Sequence, residues 1–169
     1  MDYTVAFDAP PEKIYQDFTS SDYWQSLMDS YRSVAPQSHS EVTSFTTGEC
    51  GTDIVFIQVM PRSELPAIAR AVIPVDMVIT RTQHFDPYDH AGNRANGTYT
   101  ASIPRGPGRF GGEYFLTETE TGSQLRLASV AKVHVPLVAG PLEDLLLHSV
   151  KYVFDAEEAF TADWISKHH

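Results

Sequence analysis

An α+β fold, with an antiparallel sheet wrapped around one long C-terminal helix, is predicted by three observations on this 169-residue chain. From Val138 to Lys167 apolar residues recur at three- and four-residue steps, the period of a single amphipathic helix. From His39 to Pro136 the period changes to two, with turn signals at regular intervals, as expected of antiparallel strands joined by short connections. Between the first strand-like segment and that run lie two short stretches of helical spacing. A sheet-rich remainder can bury so long a helix only by wrapping around it, and that arrangement tends to enclose a cavity.

The elements follow in order. Tyr3, Val5 and Phe7 alternate with polar or small residues over Asp2 to Asp8, a half-buried strand that Pro10 and Pro11 stop. Ile14, Tyr15 and Phe18 have helical spacing, and Thr19-Ser20-Ser21-Asp22 resembles a capping box opening a second short helix through Tyr23, Trp24, Leu27 and Met28. Six strands are predicted over Ser38 to Thr47, Thr52 to Met60, Val75 to Phe85, Ala95 to Pro104, Gly112 to Thr119 and Gln124 to Pro136. In the final helix Leu142, Leu145, Leu146, Ser149, Val150, Val153, Ala156, Phe160, Trp164 and Ile165 share one face, while Glu143, Asp144, Lys151, Asp155, Glu158 and Asp163 share the other. Gly140 and Pro141 mark its start, and at ~1.5 Å per residue it is about 40 Å long. No composition shift or internal repeat divides the chain, so residues 1–169 are expected to form one domain.

Composition narrows the function classes. Apolar residues make up 42% of the chain and charged residues 20%, as in a globular protein that folds without staples. The net charge of −10 argues against nucleic acid, whose binding relies on Lys and Arg neutralising phosphates, and against anionic membrane surfaces. No segment has the apolar length of a stable membrane insertion, and Met1-Asp2-Tyr3-Thr4 lacks the basic start of a signal peptide. With Cys50 as the one cysteine there is no internal disulfide, and a reducing, cytoplasmic setting is expected. Nothing in the sequence calls for a metal or nucleotide cofactor, and nothing sets an oligomeric state.

Element order, together with the Phe7-Asp8-Ala9-Pro10 entry into the first helix and the Val135-Pro136-Leu137-Val138-Ala139-Gly140-Pro141-Leu142-Glu143 lead into the last, resembles the START-related helix-grip superfamily. That group includes the birch-pollen-allergen fold and the polyketide cyclases, and the chain is most similar to an uncharacterised actinobacterial branch of it. The resemblance covers essentially the whole chain, but its motifs are structural punctuation. It implies a helix-grip architecture, a curved seven-stranded antiparallel sheet with a ligand cavity under the last helix, and supplies no reaction.

Candidate site residues come from the faces assigned inward. Ala101, Ser129 and Ala131 are small where a solid core favours Leu, Ile or Phe, so the space beside them can hold a ligand or be filled by Tyr99, Tyr114 and Phe160. Arg81 and Gln83 share a strand face with Val75, Met77, Ile79 and Phe85; a buried arginine needs a partner, either a ligand carboxylate or phenolate or a protein group such as Glu113 or Glu41. His148 and Tyr152, one helical turn apart, can bind a ligand's polar end or move a proton, or simply border solvent. Leu65, Pro66, Ile68, Val72 and Ile73 lie in the long connection Pro61 to Pro74, which reads either as a gate over a cavity mouth or as a helical turn packed on the sheet.

Other patterns are set aside on chemical grounds. His84, Asp86, Asp89 and His90 lack a metal-ligand spacing and read as a solvated hairpin. Gly106-Pro107-Gly108-Arg109-Phe110-Gly111 spells a dinucleotide fingerprint but is followed by a strand where the mechanism needs a helix N-terminus, so it reads as a hairpin. Cys50 has no neighbour that lowers a thiol pKa.

The leading expectation is a binding protein for a hydrophobic or amphipathic small molecule or lipid, with Arg81, Gln83, Tyr99, His148 and Tyr152 as its polar contacts. The alternatives are a cyclase, aromatase or dehydratase of polyketide type and a protein-interaction module docking through residues 61–74.

Overall fold

A computed structural model describes residues 1–103 and 108–169. In chain order the elements are β1 (Asp2–Phe7), α1 (Pro11–Phe18), α2 (Ser21–Val34), β2 (His39–Gly48), β3 (Gly51–Met60), a 3-10 turn (Arg62–Glu64), α3 (Ala67–Arg70), β4 (Met77–Phe85), β5 (Arg94–Ser102), β6 (Gly108–Thr119), β7 (Gly122–Val133) and α4 (Ala139–His168). The seven strands form one antiparallel sheet in the order β1-β7-β6-β5-β4-β3-β2. The predicted α+β architecture is therefore present, with two helices after the first strand and one long helix at the end.

Alternation dictates the sheet's two faces. β1 and β5 alternate strictly between exposed and buried residues, so one row of side chains from each strand faces the helices. Tyr3 at one edge donates to Glu158 of α4 at 2.7 Å, and Arg81 of β4, four strands away in the sheet, reaches Glu157 of the same helix. Strands spaced ~4.8 Å apart cannot both reach one helix unless the sheet curves around it.

Several boundaries differ from those read in the sequence. The fourth strand begins at Met77 rather than Val75, and β6 begins at Gly108, four residues earlier than predicted, because Gly108 to Gly111 pair in register with Val133 to Val130. The remainder of the glycine-rich hairpin, Pro104 to Pro107, lies outside the described residues. β7 ends at Val133, short of Pro136, where the missing N–H of proline cannot serve a ladder. The capping-box reading fails: Ser20 is the N-cap of α2 but its side chain caps nothing, and Thr19 instead returns its hydroxyl to the Tyr15 carbonyl at 2.7 Å. Glu143 lies just beyond the first turn of α4, and its carboxylate accepts from the Val133 backbone N–H at 2.9 Å, fastening the helix start to the end of β7.

Turn chemistry is visible at Gly51, which closes the β2–β3 hairpin with φ +116°. A Cβ there would lie 2.1 Å from the Phe85 carbonyl oxygen, so only glycine fits.

The interior is not uniform along its length. At the end nearest α1 and α2, Phe18, Tyr23, Trp24, Phe56, Phe85 and Phe160 interlock: Phe18 stacks on Phe85 with ring centroids 5.5 Å apart, Trp24 on Phe56 at 5.7 Å, and Tyr23 meets Phe160 edge-on at 5.5 Å. Both indole N–H groups of this end are paired, Trp24 Nε1 donating to the Phe18 carbonyl at 2.8 Å and Trp164 Nε1 to Asp17 at 3.0 Å. Space there amounts to about 30 Å³, room for a single water. The opposite end, under the N-terminal half of α4, is hollow.

Candidate functional site

The inner row of β4 runs from the hollow end to the packed one. Met77 and Ile79 line a cavity of about 280 Å³, Arg81 forms its inner limit, and Gln83 and Phe85 lie beyond it in the solid part. Across from β4, α4 contributes Leu145, Leu146, Val150, Val153 and Phe154, positions repeating every three or four residues that face the sheet. Gln58 and Met60 of β3 and Phe110 of β6 complete the sheet side. A smaller space of about 50 Å³ adjoins it, sharing Ala69, Met77, Leu145 and Leu146 and bounded further by Val72, Ile73 and Ile103.

The connection after β3 closes one side. It folds into the 3-10 turn and α3 and buries Leu65 and Ile73 beneath them. Leu65, Pro66 and Ala69 line the cavity. Arg62 holds the segment in shape, donating from Nε to the Ile73 carbonyl at 3.1 Å and from Nη2 to the Arg70 carbonyl at 3.0 Å, while its backbone N–H reaches Asp76 at 2.9 Å. The segment is thus a helical turn packed on the protein, and it also forms one wall of the hollow. Ile68 points to solvent, 36% exposed, and Pro66 is exposed beside it.

Arg81 is the polar centre of the interior. Its side chain is 4% exposed and that of Glu157 15%. Nη1 donates to Glu157 Oε1 at 2.5 Å, and Nη2 to Glu157 Oε2 at 3.2 Å and to Tyr114 Oη at 2.8 Å. With its amide oxygen turned toward the guanidinium, Gln83 accepts from Nη2 at 2.6 Å and Nε at 2.9 Å, and its Nε2 donates to Tyr114 Oη at 2.7 Å. The guanidinium carbon sits 5.2 to 5.4 Å from the ring centres of Phe56, Tyr99 and Phe154. Burial by itself would lower the arginine's pKa; the Glu157 carboxylate outweighs it, and Arg81 is held charged, well above its ordinary value. Burial likewise raises Tyr99, Tyr114 and Tyr31, so these phenols stay protonated near neutrality and serve as hydrogen-bonding groups. Tyr31 spends its proton on Glu157 at 2.7 Å.

The sequence candidates divide accordingly. Arg81 and the gate residues Leu65 and Pro66 line the main cavity, and Val72 and Ile73 the smaller one. Gln83 and Tyr99 are buried behind the cavity, orienting Arg81 from below. Ala101, Ser129 and Ala131 do not line it, and the space they leave belongs to aromatic rings. Tyr99 donates to Ser129 Oγ at 2.5 Å, and Ala101 and Ala131 stand directly across from Phe110 on either side, making room for that ring. His148 and Tyr152 fall on the outer side of α4, Tyr152 76% exposed, because the helix turns the centre of its 145/146/150/153 stripe inward and these two fall outside it.

Glu157 is the functional residue that sequence reasoning missed; the partners weighed for Arg81 were Glu113 and Glu41. Its signal was present: Glu157 falls three residues after Phe154 and four before Thr161, a carboxylate within the buried stripe of α4. His84, read as solvated, lies between Asp53 and Asp86, with Nδ1 2.8 Å from Asp53 and Nε2 3.2 Å from Asp86, while Asp89 pairs with Arg94.

A curved antiparallel sheet closed over a long terminal helix, with a hollow between them, is the helix-grip fold. Residues 2–165 match the family described as protein of unknown function (DUF2505), and the chain belongs to that family. Among curated proteins it is similar to uncharacterized protein Rv0481c of Mycobacterium tuberculosis, 24% identical over 98% of this chain and 95% of the relative. Among solved structures it is similar to protein Ms6760 of Mycobacterium smegmatis, with a TM-score of 0.60 at 12% identity over 99% of this chain and 91% of that one. Ara h 8.0201 has a TM-score of 0.56 at 15% identity, covering 99% of this chain and 97% of its own. Norcoclaurine synthase from Thalictrum flavum has a TM-score of 0.53 at 12% identity, covering 99% and 86%. At these identities the likeness is one of fold.

Proposed function

We propose that this protein binds a hydrophobic or amphipathic small molecule in the cavity between β3, β4, β6 and α4, with residues 1–169 acting as one ligand-binding domain. The observation that carries the reading is the cavity itself: about 280 Å³ of apolar-walled space left open in a protein whose other end is packed to near solidity. Interiors are ordinarily close-packed, and each buried void forfeits contacts, so a hollow bounded by Leu, Val, Ile, Met and Phe side chains is a cost that a bound apolar molecule offsets. Contact with that wall contributes roughly 25 cal/mol per Å² of apolar surface removed from water. The segment 61–74 acts as the gate, since Leu65, Pro66 and Ala69 form the wall that shares least with the sheet.

A polyketide-type cyclase would need a titratable pair facing the bound chain. Among the described residues, the titratable side chains lining the cavity are Arg81, held charged, and Glu64 on the rim, and neither has a partner across the space for proton exchange. Binding without turnover is therefore the better reading. The mycobacterial relatives favour the actinobacterial branch of the superfamily, and no helix among the described residues is long and apolar enough to cross a membrane, in keeping with a cytoplasmic carrier.

The test is saturable binding of 1-naphthylamine, followed by its fluorescence, together with extraction of the purified protein and mass spectrometry of the extract. Val153→Trp fills the cavity from the helix side and is expected to abolish probe binding with the far-ultraviolet circular dichroism unchanged. Probe binding that does not saturate, or that survives Val153→Trp undiminished, overturns the proposal.

A further inference from the structure

Building on the cavity-binding reading, we infer that the bound molecule is small, uncharged and apolar, with an oxygen such as that of a ketone, aldehyde or ester, and that free carboxylic acids are rejected. Arg81 looks at first like a carboxylate receptor, but its charge is already matched. Glu157 takes two of its hydrogen bonds, at 2.5 and 3.2 Å, Tyr114 another at 2.8 Å, and the Gln83 oxygen contacts both Nη2 and Nε, at 2.6 and 2.9 Å. A guanidinium carries five N–H donors, and these partners engage Nε, Nη2 and one hydrogen of Nη1. One Nη1–H remains, with no net charge behind it.

A neutral oxygen can take that hydrogen bond while its carbon skeleton lies along Leu145, Leu146 and Val150. A carboxylate would bring an unmatched charge into a site where Arg81 and Glu157 already sum to zero. To claim the arginine it must displace Glu157 and leave a second buried carboxylate, and either course carries a large desolvation cost. Little else lining the cavity offsets that. Ser149 spends its hydroxyl on the Leu145 carbonyl at 2.9 Å, Gln58 offers a neutral amide, and Glu64 adds a like charge at the rim. Volume sets the size. On the scale by which an engineered cavity of about 150 Å³ takes benzene, the 280 Å³ here takes on the order of ten non-hydrogen atoms, too few for a diacyl lipid or a sterol.

Displacement of 1-naphthylamine by methyl octanoate and by octanoate at about pH 7.5 tests the charge preference. The ester is expected to displace the probe at a concentration about tenfold or more below that of the acid, a difference of about 1.4 kcal/mol. Glu157→Gln frees the charge of Arg81 and should narrow or invert that ratio. If that variant does not fold, the wild-type protein still decides the matter, because octanoic acid should gain on the ester as the pH falls to about 5 and part of it becomes neutral. Octanoate that matches or beats the ester at about pH 7.5, or that gains nothing at about pH 5, overturns the preference and leaves the cavity reading standing. A probe that binds saturably but that neither compound displaces overturns the preference alone, and one that does not bind saturably overturns both.

Discussion

Arg81 on β4 and Glu157 on α4 stand 76 positions apart in the chain and meet in a buried ion pair, Nη1 to Oε1 at 2.5 Å and Nη2 to Oε2 at 3.2 Å. This contact fastens the helix across the sheet at the boundary between the solid and hollow parts of the interior. Removing one partner leaves an uncompensated buried charge. Glu157→Leu alone and Arg81→Met alone are each expected to cost about 3–5 kcal/mol of stability, while the double variant should lie within about 1–2 kcal/mol of wild type. Urea unfolding of the four proteins measures the coupling, and additive single effects would show that the pair does not act as a unit.

The two halves of the interior should respond differently to truncation. Phe85 lies in the aromatic cluster, 3% exposed and in ring contact with Phe18, Trp24 and Tyr114, so Phe85→Ala is expected to cost about 3–5 kcal/mol. Leu146 borders existing void space on α4, and Leu146→Ala should fall at or below the low end of the range for such changes, about 2 kcal/mol. Chemical denaturation distinguishes them, and equal costs would mean that the hollow end is packed in solution.

His148 and Tyr152 are exposed on the far side of α4. Replacing either by Ala should change stability by no more than about 0.5 kcal/mol and leave the affinity for 1-naphthylamine unaltered. Titration of the probe into both variants checks this, and a weakened affinity would place them at the binding site after all.

The pairing of His84 with Asp53 and Asp86 makes stability depend on pH in a defined direction. The hydrogen bond to Asp53 is the largest influence and raises the imidazole pKa above its ordinary value of 6.5. A group whose folded pKa is raised contributes stability that is fully present below its unfolded value and disappears as the pH rises through the folded one. The stability difference between wild type and His84→Gln should therefore be largest below about pH 6.5 and shrink toward higher pH. Urea midpoints of both proteins at several pH values measure it, and a difference that grows with pH would refute the assignment.

Element order and faces were legible in the chain because periodicity records which side of an element is buried. The two-residue alternation of Tyr3, Val5 and Phe7 and the spacing of Leu142, Leu146, Val150 and Val153 each answer to a local geometry that neighbouring residues share. The inward row Met77, Ile79, Arg81, Gln83 and Phe85 was visible for the same reason. Ends were less so: Gly108 to Gly111 read as turn, yet pair as strand, because glycine tolerates both and the partner strand chooses.

The site was only partly legible. Ala101, Ser129 and Ala131 were small as expected of a hollow, but whether small residues face a void or a large neighbour depends on cross-strand register, and the register sets them against Phe110 and Tyr99. His148 and Tyr152 border the apolar stripe in a helical projection, and the rotation of α4 against the sheet takes them outward.

By itself the sequence determined the kind of elements, their order and the side each would bury, since these follow from backbone periodicity and the transfer of apolar side chains from water. Tertiary structure alone decided that Arg81 meets Glu157, that one end of the interior closes on its aromatic rings, and that the other stays open beneath α4. Those outcomes depend on distances between residues far apart in the chain, which emerge only once the sheet has curved and the helix has settled at one particular rotation within it.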